Sequence, residues 1–148
     1  MIAEDAQLHA MLSRLHLTGI RDRLDALLEE AARKDLDLRQ TLSYLCSAEV
    51  EHRDQRRVAM GTNIAKFPFV RTLDDYDFEA QPSVDAKQVR DLATCRWVAN
   101  GDNVLILGPP GVGKTHLAVG LGRAAIARGY SALFVSAATL VTGLAKAH

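Results

Sequence analysis

Gly108-Pro109-Pro110-Gly111-Val112-Gly113-Lys114-Thr115 fits the pattern G-x-x-x-x-G-K-[ST] in full. These residue types suit one task, holding the phosphates of a nucleotide. Phosphate oxygens have to be met by several backbone N–H groups at once, and bulky side chains in the loop would block that approach. Gly111 and Gly113 lack a Cβ and can adopt positive φ. A helix starting near Gly113 would aim its unpaired N–H groups and positive dipole end at the phosphates. Lys114 would bring a point charge to the β/γ oxygens. Thr115 would offer a hydroxyl to Mg2+, a cation that keeps most of its own waters. With glycine at about 7 % of residues, a random chain of this length would match roughly one time in two hundred, so a coincidental glycine-rich turn is a poor explanation.

The loop needs a strand before it and a helix after it. Val104 to Leu107 is a short all-apolar run, as expected of a strand buried on both faces. After the loop, Leu117, Leu121, Ala124 and Ala125 recur at helical spacing up to Gly129, a plausible C′ residue. Ala132-Leu133-Phe134-Val135 then reads as a second buried parallel strand. Strand, helix, strand makes one right-handed βαβ unit. Upstream, Asp85-x-x-Gln88 has capping-box spacing and opens a helix with Val89, Leu92, Ala93, Arg96 and Trp97, ending at Asn100-Gly101. Trp97 is expected to anchor that helix to the sheet. Residues 138–147 read as a last helix with Leu140, Val141 and Leu144 on one face.

The first part of the chain is helical in pattern. Leu8, Met11, Leu12 and Leu15 form a stripe over residues 5–16. After the Leu17-Thr18-Gly19 break, Thr18 can cap a second helix carrying Ile20, Leu24, Leu27, Leu28 and Ala31. Asp37-x-x-Gln40 opens a third, with Leu38, Leu42, Leu45 and Cys46 on one face, running to about Gly61. Residues 1–66 are therefore expected to be a small helical domain, 67–84 a linker, and 85–148 part of a nucleotide-binding domain. The expected fold class is α/β: a small N-terminal helical domain, then the first βαβ portion of a P-loop parallel sheet. In the linker, Tyr76 and Phe78 either pack on the second domain or line one side of an adenine.

Within the helical part, Glu49, Glu51, His52, Arg53, Asp54, Arg56 and Arg57 form a charged segment. Glu49 and Arg53 are i, i+4 partners in the better orientation. One reading is a solvated face with ion pairs worth a few tenths of a kcal/mol each. The other uses the excess of Arg53, Arg56, Arg57, Lys66 and Arg71 over the lone Asp54, which would suit a phosphate backbone.

The whole chain sets broad bounds. Its 148 residues are enough for one ordinary domain or two small ones, and 48 % hydrophobic content with zero net charge describes a globular protein without a disorder signature. No apolar run is long enough to span a membrane, and the acidic Met1-Ile2-Ala3-Glu4-Asp5 is no signal peptide. Cys46 and Cys95 have no partner at metal spacing and read as reduced core thiols of a cytoplasmic protein.

Hydrolysis needs more than this loop. It needs an apolar strand ending in Asp or Asp-Glu to hold Mg2+ and activate water. No such segment follows Thr115, and Asp74-Asp75 precedes the loop without an apolar strand before it. The chain is therefore expected to carry about the first half of a nucleotide-binding domain, as a truncated reading frame or a fragment, and not to cleave ATP by itself.

The run from Gly108 through Thr115, continued by His116-Leu117-Ala118, closely resembles the P-loop of the IstB/DnaC branch of AAA+ ATPases. The helices from Leu12 to Leu28, the Glu49 to Arg57 segment, the Ala65-Lys66-Phe67-Pro68 turn and Thr72-Leu73-Asp74-Asp75-Tyr76-Asp77-Phe78 resemble the N-terminal region of IstB proteins. The resemblance implies an ATP-binding helper of insertion-sequence transposition that binds DNA, assembles into oligomers and assists a transposase. The alternatives are a DnaC-like loader of the replicative helicase and a non-catalytic interaction fragment. Candidate contacts to ATP are Gly108, Pro109, Pro110, Gly111, Val112, Gly113, Lys114, Thr115 and His116, with Thr115 also the candidate Mg2+ ligand. The family's acidic Mg2+-holding pair, sensors and arginine finger have no counterpart here, and no catalytic residue is assigned.

Overall fold

The computed structural model describes residues 2–146, with side chains from residue 5 onward. Met1, Ala147 and His148 lie outside the described residues, and with Ala147 the last residue of the expected 138–147 helix. The chain divides into two compact units, Met1–Arg57 and Val58–His148.

The first unit is built from α1 (Ile2–Arg14), α2 (Thr18–Arg21), α3 (Leu24–Arg33) and the first part of α4 (Leu38–Ile64). Leu12, Ile20 and Leu24 are its buried centre, with Leu17 and Leu45 packed on them. α1 ends at His16, a left-handed residue with φ 56°. There Leu17 N–H bonds to the Leu12 carbonyl at 2.9 Å and His16 N–H to that of Ser13 at 3.0 Å. These two bonds satisfy carbonyls that the helix end leaves over. Asp35 (φ 52°) does the same after α3.

The helix expected from Ile20 to Ala31 is in fact two. Arg23 leaves helical geometry at φ −128°. Its guanidinium takes the Gly19 carbonyl at 3.3 Å and the Ala48 carbonyl at 3.1 Å, while its own N–H turns to Ile20. Thr18 makes no side-chain cap; it is the first helical residue after Leu17. At the start of α4 the Asp37/Gln40 box forms reciprocally. Gln40 N–H donates to Asp37 Oδ1 at 2.8 Å and Asp37 N–H to Gln40 Oε1 at 3.0 Å. The buried face of α4 differs from the expected one. Leu38 (92 % exposed), Leu42 and Cys46 face solvent, and the inward positions are Leu45, Ala48 and Glu49. Cys46 is therefore no core thiol, whereas Cys95 is buried, and burial pushes its thiol pKa up.

The second unit holds the end of α4, then α5 (Ala86–Leu92), α6 (Arg96–Asn100), α7 (Lys114–Ala127) and α8 (Ala137–Lys146). The α/β expectation is overturned: among the described residues there is no strand, so no parallel sheet and no βαβ portion. Val104–Leu107 and Ala132–Val135 do not pair with each other. One amide of the second run, that of Phe134, bonds to the Ala65 carbonyl at 2.8 Å. Nor is the first run buried on both faces. Val104 and Ile106 are half-buried, while Leu105 and Leu107 are 84 % and 87 % exposed. An apolar run supplies one requirement of a strand; the other is a neighbouring strand to pair with, and neither run has one among the described residues.

α7 is the spine of this unit. Leu117 meets Tyr76 and Val89 in a buried cluster, flanked by Leu73, Phe78, Val84 and Ile106. α7 closes on Gly129 (φ 94°) with Tyr130 N–H to the Ala125 carbonyl and Gly129 N–H to that of Ile126, both 3.0 Å. The helix expected from Asp85 to Asn100 breaks at Cys95, left-handed at φ 60°. Asp85 caps α5 through the Lys87 N–H at 2.8 Å. Trp97, expected to anchor a sheet, donates its indole N–H to the Leu92 carbonyl at 2.9 Å across that break. On α8, Leu140, Val141 and Leu144 are exposed.

Candidate functional site

The loop expected to hold phosphate enters α7 at Gly113, the N-cap residue, at φ 83° and ψ 24°. Gly111 is also left-handed, at φ 85°. A Cβ built on Gly111 meets nothing within 4 Å. The need for glycine there is conformational, since an L side chain costs about 1–2 kcal/mol in this region. No side chain caps the helix start. Among the described residues no protein acceptor takes the N–H groups of Gly111, Val112, Gly113, Lys114, Thr115 or His116. The first partnered amide is that of Leu117, bonded to the Gly113 carbonyl at 3.0 Å. A run of donors with no acceptor at a helix N-terminus suits an anion.

Two side chains add to it. The Lys114 ammonium reaches back across the loop to the Pro109 carbonyl at 2.6 Å. Thr115 is exposed in the first turn of α7, and its hydroxyl has no protein partner among the described residues. No cluster of His, Cys, Asp or Glu there could hold a metal ion alone. A Mg2+ bound by one hydroxyl, phosphate oxygens and water fits that donor set. Gly108, Pro109 and Pro110 form the exposed entry to the loop.

His116 does something the pattern did not suggest. Its Nε2 lies 2.7 Å from the Thr72 carbonyl. A carbonyl only accepts, so Nε2 carries the proton. The segment taken for a linker is thereby tied to α7. Thr72 N–H and hydroxyl both donate to Asp75 Oδ2, at 2.7 and 2.9 Å. Those two bonds, helped by the nearby charges of Arg71 and His116, hold the Asp75 carboxyl below its usual range. Leu73 lies against Gly120, so closely that a Cβ there would fall 2.5 Å from Leu73 Cδ2. Tyr76 is 7 % exposed, with its ring edge-on to Phe78 and to His116. Of the two expectations for Tyr76, the structure shows packing.

The basic segment of α4 is partly committed to the fold. Glu49 is buried, accepting Ile20 N–H at 2.9 Å and the Arg53 guanidinium at 2.9 Å. Arg53 also donates to the His16 carbonyl at 3.0 Å, and Arg57 lies 3.4 Å from Asp54.

Comparison with known proteins agrees with the loop. A family model described as "IstB-like ATP binding protein" matches residues 10–148. The "Insertion sequence IS5376 putative ATP-binding protein" of Geobacillus stearothermophilus is 39 % identical over 95 % of this chain and 56 % of its own length. The "Insertion sequence IS21 putative ATP-binding protein" of Pseudomonas aeruginosa is 41 % identical over 95 % of this chain and 53 % of its own length. The chain thus spans about half the length of the curated relatives it matches. With the match covering nearly every residue and including the whole loop, the chain belongs to the family of IstB-like ATP-binding proteins.

Proposed function

We propose that the loop from Gly108 to His116 binds the phosphates of ATP, and that the protein serves as an ATP-binding helper of DNA transposition, acting with a transposase on DNA. The observation that carries the first part is the row of backbone donors from Gly111 to His116 without a protein acceptor, at the head of a helix whose first residue is Lys114. Lys114 exchanges the Pro109 carbonyl for the β/γ oxygens. Thr115 holds Mg2+ through its hydroxyl, and the cation supplies charge neutralisation between phosphates. Residues 85–148 form part of the ATP-binding domain in this reading. The second part is supported by the names of the relatives, proteins of insertion sequences. In the sequence, arginine and lysine outnumber acidic residues between Arg53 and Arg71, an excess that suits contact with a phosphate backbone.

Lys114→Ala tests the site. In an equilibrium titration with fluorescent ATP and Mg2+, the variant binds roughly ten- to hundredfold more weakly, the range for losing a hydrogen bond to a charged group. Equal affinity of variant and parent removes the loop from the account.

A further inference from the structure

The Tyr76 hydroxyl donates to the Val112 carbonyl at 2.7 Å. We propose that Tyr76 is a positioning residue for the phosphate loop: it fixes the Val112–Gly113 peptide so that the Gly113 N–H points away from Tyr76 and toward the bound phosphates. This inference rests on the reading of the loop as the ATP site. In a planar trans peptide the C=O and the following N–H point in opposite directions. Holding one end of the Val112–Gly113 unit therefore aims the other. A flip of this single peptide would replace a donor by a carbonyl oxygen, which repels phosphate.

Tyr76 holds both sides of that peptide. Its hydroxyl has the Val112 carbonyl, and its ring lies so close to Gly113 that a Cβ there would sit 2.8 Å from Tyr76 Cε2. The ring has little freedom. Its centroid is 4.9 Å from that of Phe78 and 5.3 Å from that of His116. The backbone leading to it is pinned as well. Thr72 is bound to Asp75 and to His116, and Tyr76 N–H bonds to the Leu73 carbonyl at 3.2 Å. The brace is complete without a ligand, so the cost of ordering this peptide falls on folding and not on binding.

Tyr76→Phe removes the hydroxyl and keeps the ring. The full chain is compared with this variant and with one carrying 4-aminophenylalanine at position 76, which restores a donor. Three quantities are read: the Gly113 amide resonance without nucleotide, the affinity for ATP with Mg2+, and the affinity for adenosine. Tyr76→Phe shifts the Gly113 amide resonance and weakens ATP by about three- to tenfold, the worth of one neutral hydrogen bond. It leaves adenosine unchanged, and 4-aminophenylalanine brings both readouts back. The inference is overturned if Tyr76→Phe leaves the Gly113 resonance and ATP affinity at parental values. It is equally overturned if adenosine weakens in step with ATP, because Tyr76 then serves the base. Failure of the ATP-site reading looks different: neither parent nor variant binds ATP, while the Gly113 resonance still reports on the brace.

Discussion

At the scale of single residues, the proposed phosphate contacts could be read from local spacing, and the proposed brace on them could not. Lys114 and Thr115 are marked by the six residues before them, Gly108 to Gly113. Tyr76 acts on Val112 from a distant segment, and no local spacing records that relation. Glu49 is a similar case. Its pairing with Arg53 was legible as an i, i+4 contact, but its grip on the Ile20 amide was not. Burial pushes the Glu49 carboxyl up, yet the Ile20 amide, the Arg53 guanidinium and the Gly19 amide outweigh it and hold the pKa below the ordinary 4.5. The folded state therefore binds this proton more weakly than the unfolded one. The stabilisation is complete above pH 4.5 and is lost as pH falls through the depressed value. Urea denaturation across acid pH should show this loss in the parent and a flatter profile in Glu49→Gln. Glu49→Ala should cost about 1–3 kcal/mol at neutral pH, because it leaves a buried N–H without an acceptor. An unchanged denaturation midpoint for Glu49→Ala would mean that water satisfies Ile20.

At the scale of elements, the ends of helices were legible where they depend on neighbours in sequence. The Asp37/Gln40 box and the Gly129 cap are of this kind. Ends set by left-handed His16, Asp35, Lys66 and Cys95 were not, because such residues carry no glycine signal and are chosen by packing. The segment 72–78 read as a linker because it lacks period, yet it lies along α7. Gly120 makes that approach possible: besides Leu73 Cδ2, an added Cβ would meet the Leu73 backbone nitrogen at 3.2 Å. Gly120→Ala should lower thermal stability by about 1–3 kcal/mol, a cost typical of overpacking, despite the better helix propensity of alanine. It should also weaken ATP, since Leu73 stands between Thr72 and the Tyr76 brace. A variant as stable as the parent would show that Leu73 moves aside freely.

At the scale of the whole molecule, the two hydrophobic runs proved a guide neither to strands nor to full burial: alternate residues of each, Leu105, Leu107, Leu133 and Val135, are exposed. Ile106 packs on the cluster around Leu117 of α7 and Val104 is half-buried, but pairing of backbone is a long-range property that the run does not encode. Family membership was legible because the loop and the upstream segments agree with each other along nearly the full length. Charge works at this scale too. The chain is neutral overall, so any affinity for DNA comes from local arrangement. DNA binding measured by anisotropy should fall steeply with salt, and Arg56→Ala and Lys66→Ala should each reduce the salt slope by about one. Arg53→Ala should instead act mainly on stability, through Glu49. A salt-independent affinity would remove DNA phosphate from the account. The central claim, that ATP is held by the backbone at the head of α7, is tested most directly by following the amide resonances of the labelled chain during titration with ATP and Mg2+. The account predicts that the largest shifts fall on Gly111 to His116 and need roughly ten- to hundredfold more ATP in Lys114→Ala. Shifts centred elsewhere, or none in that run at saturating ATP, would contradict it.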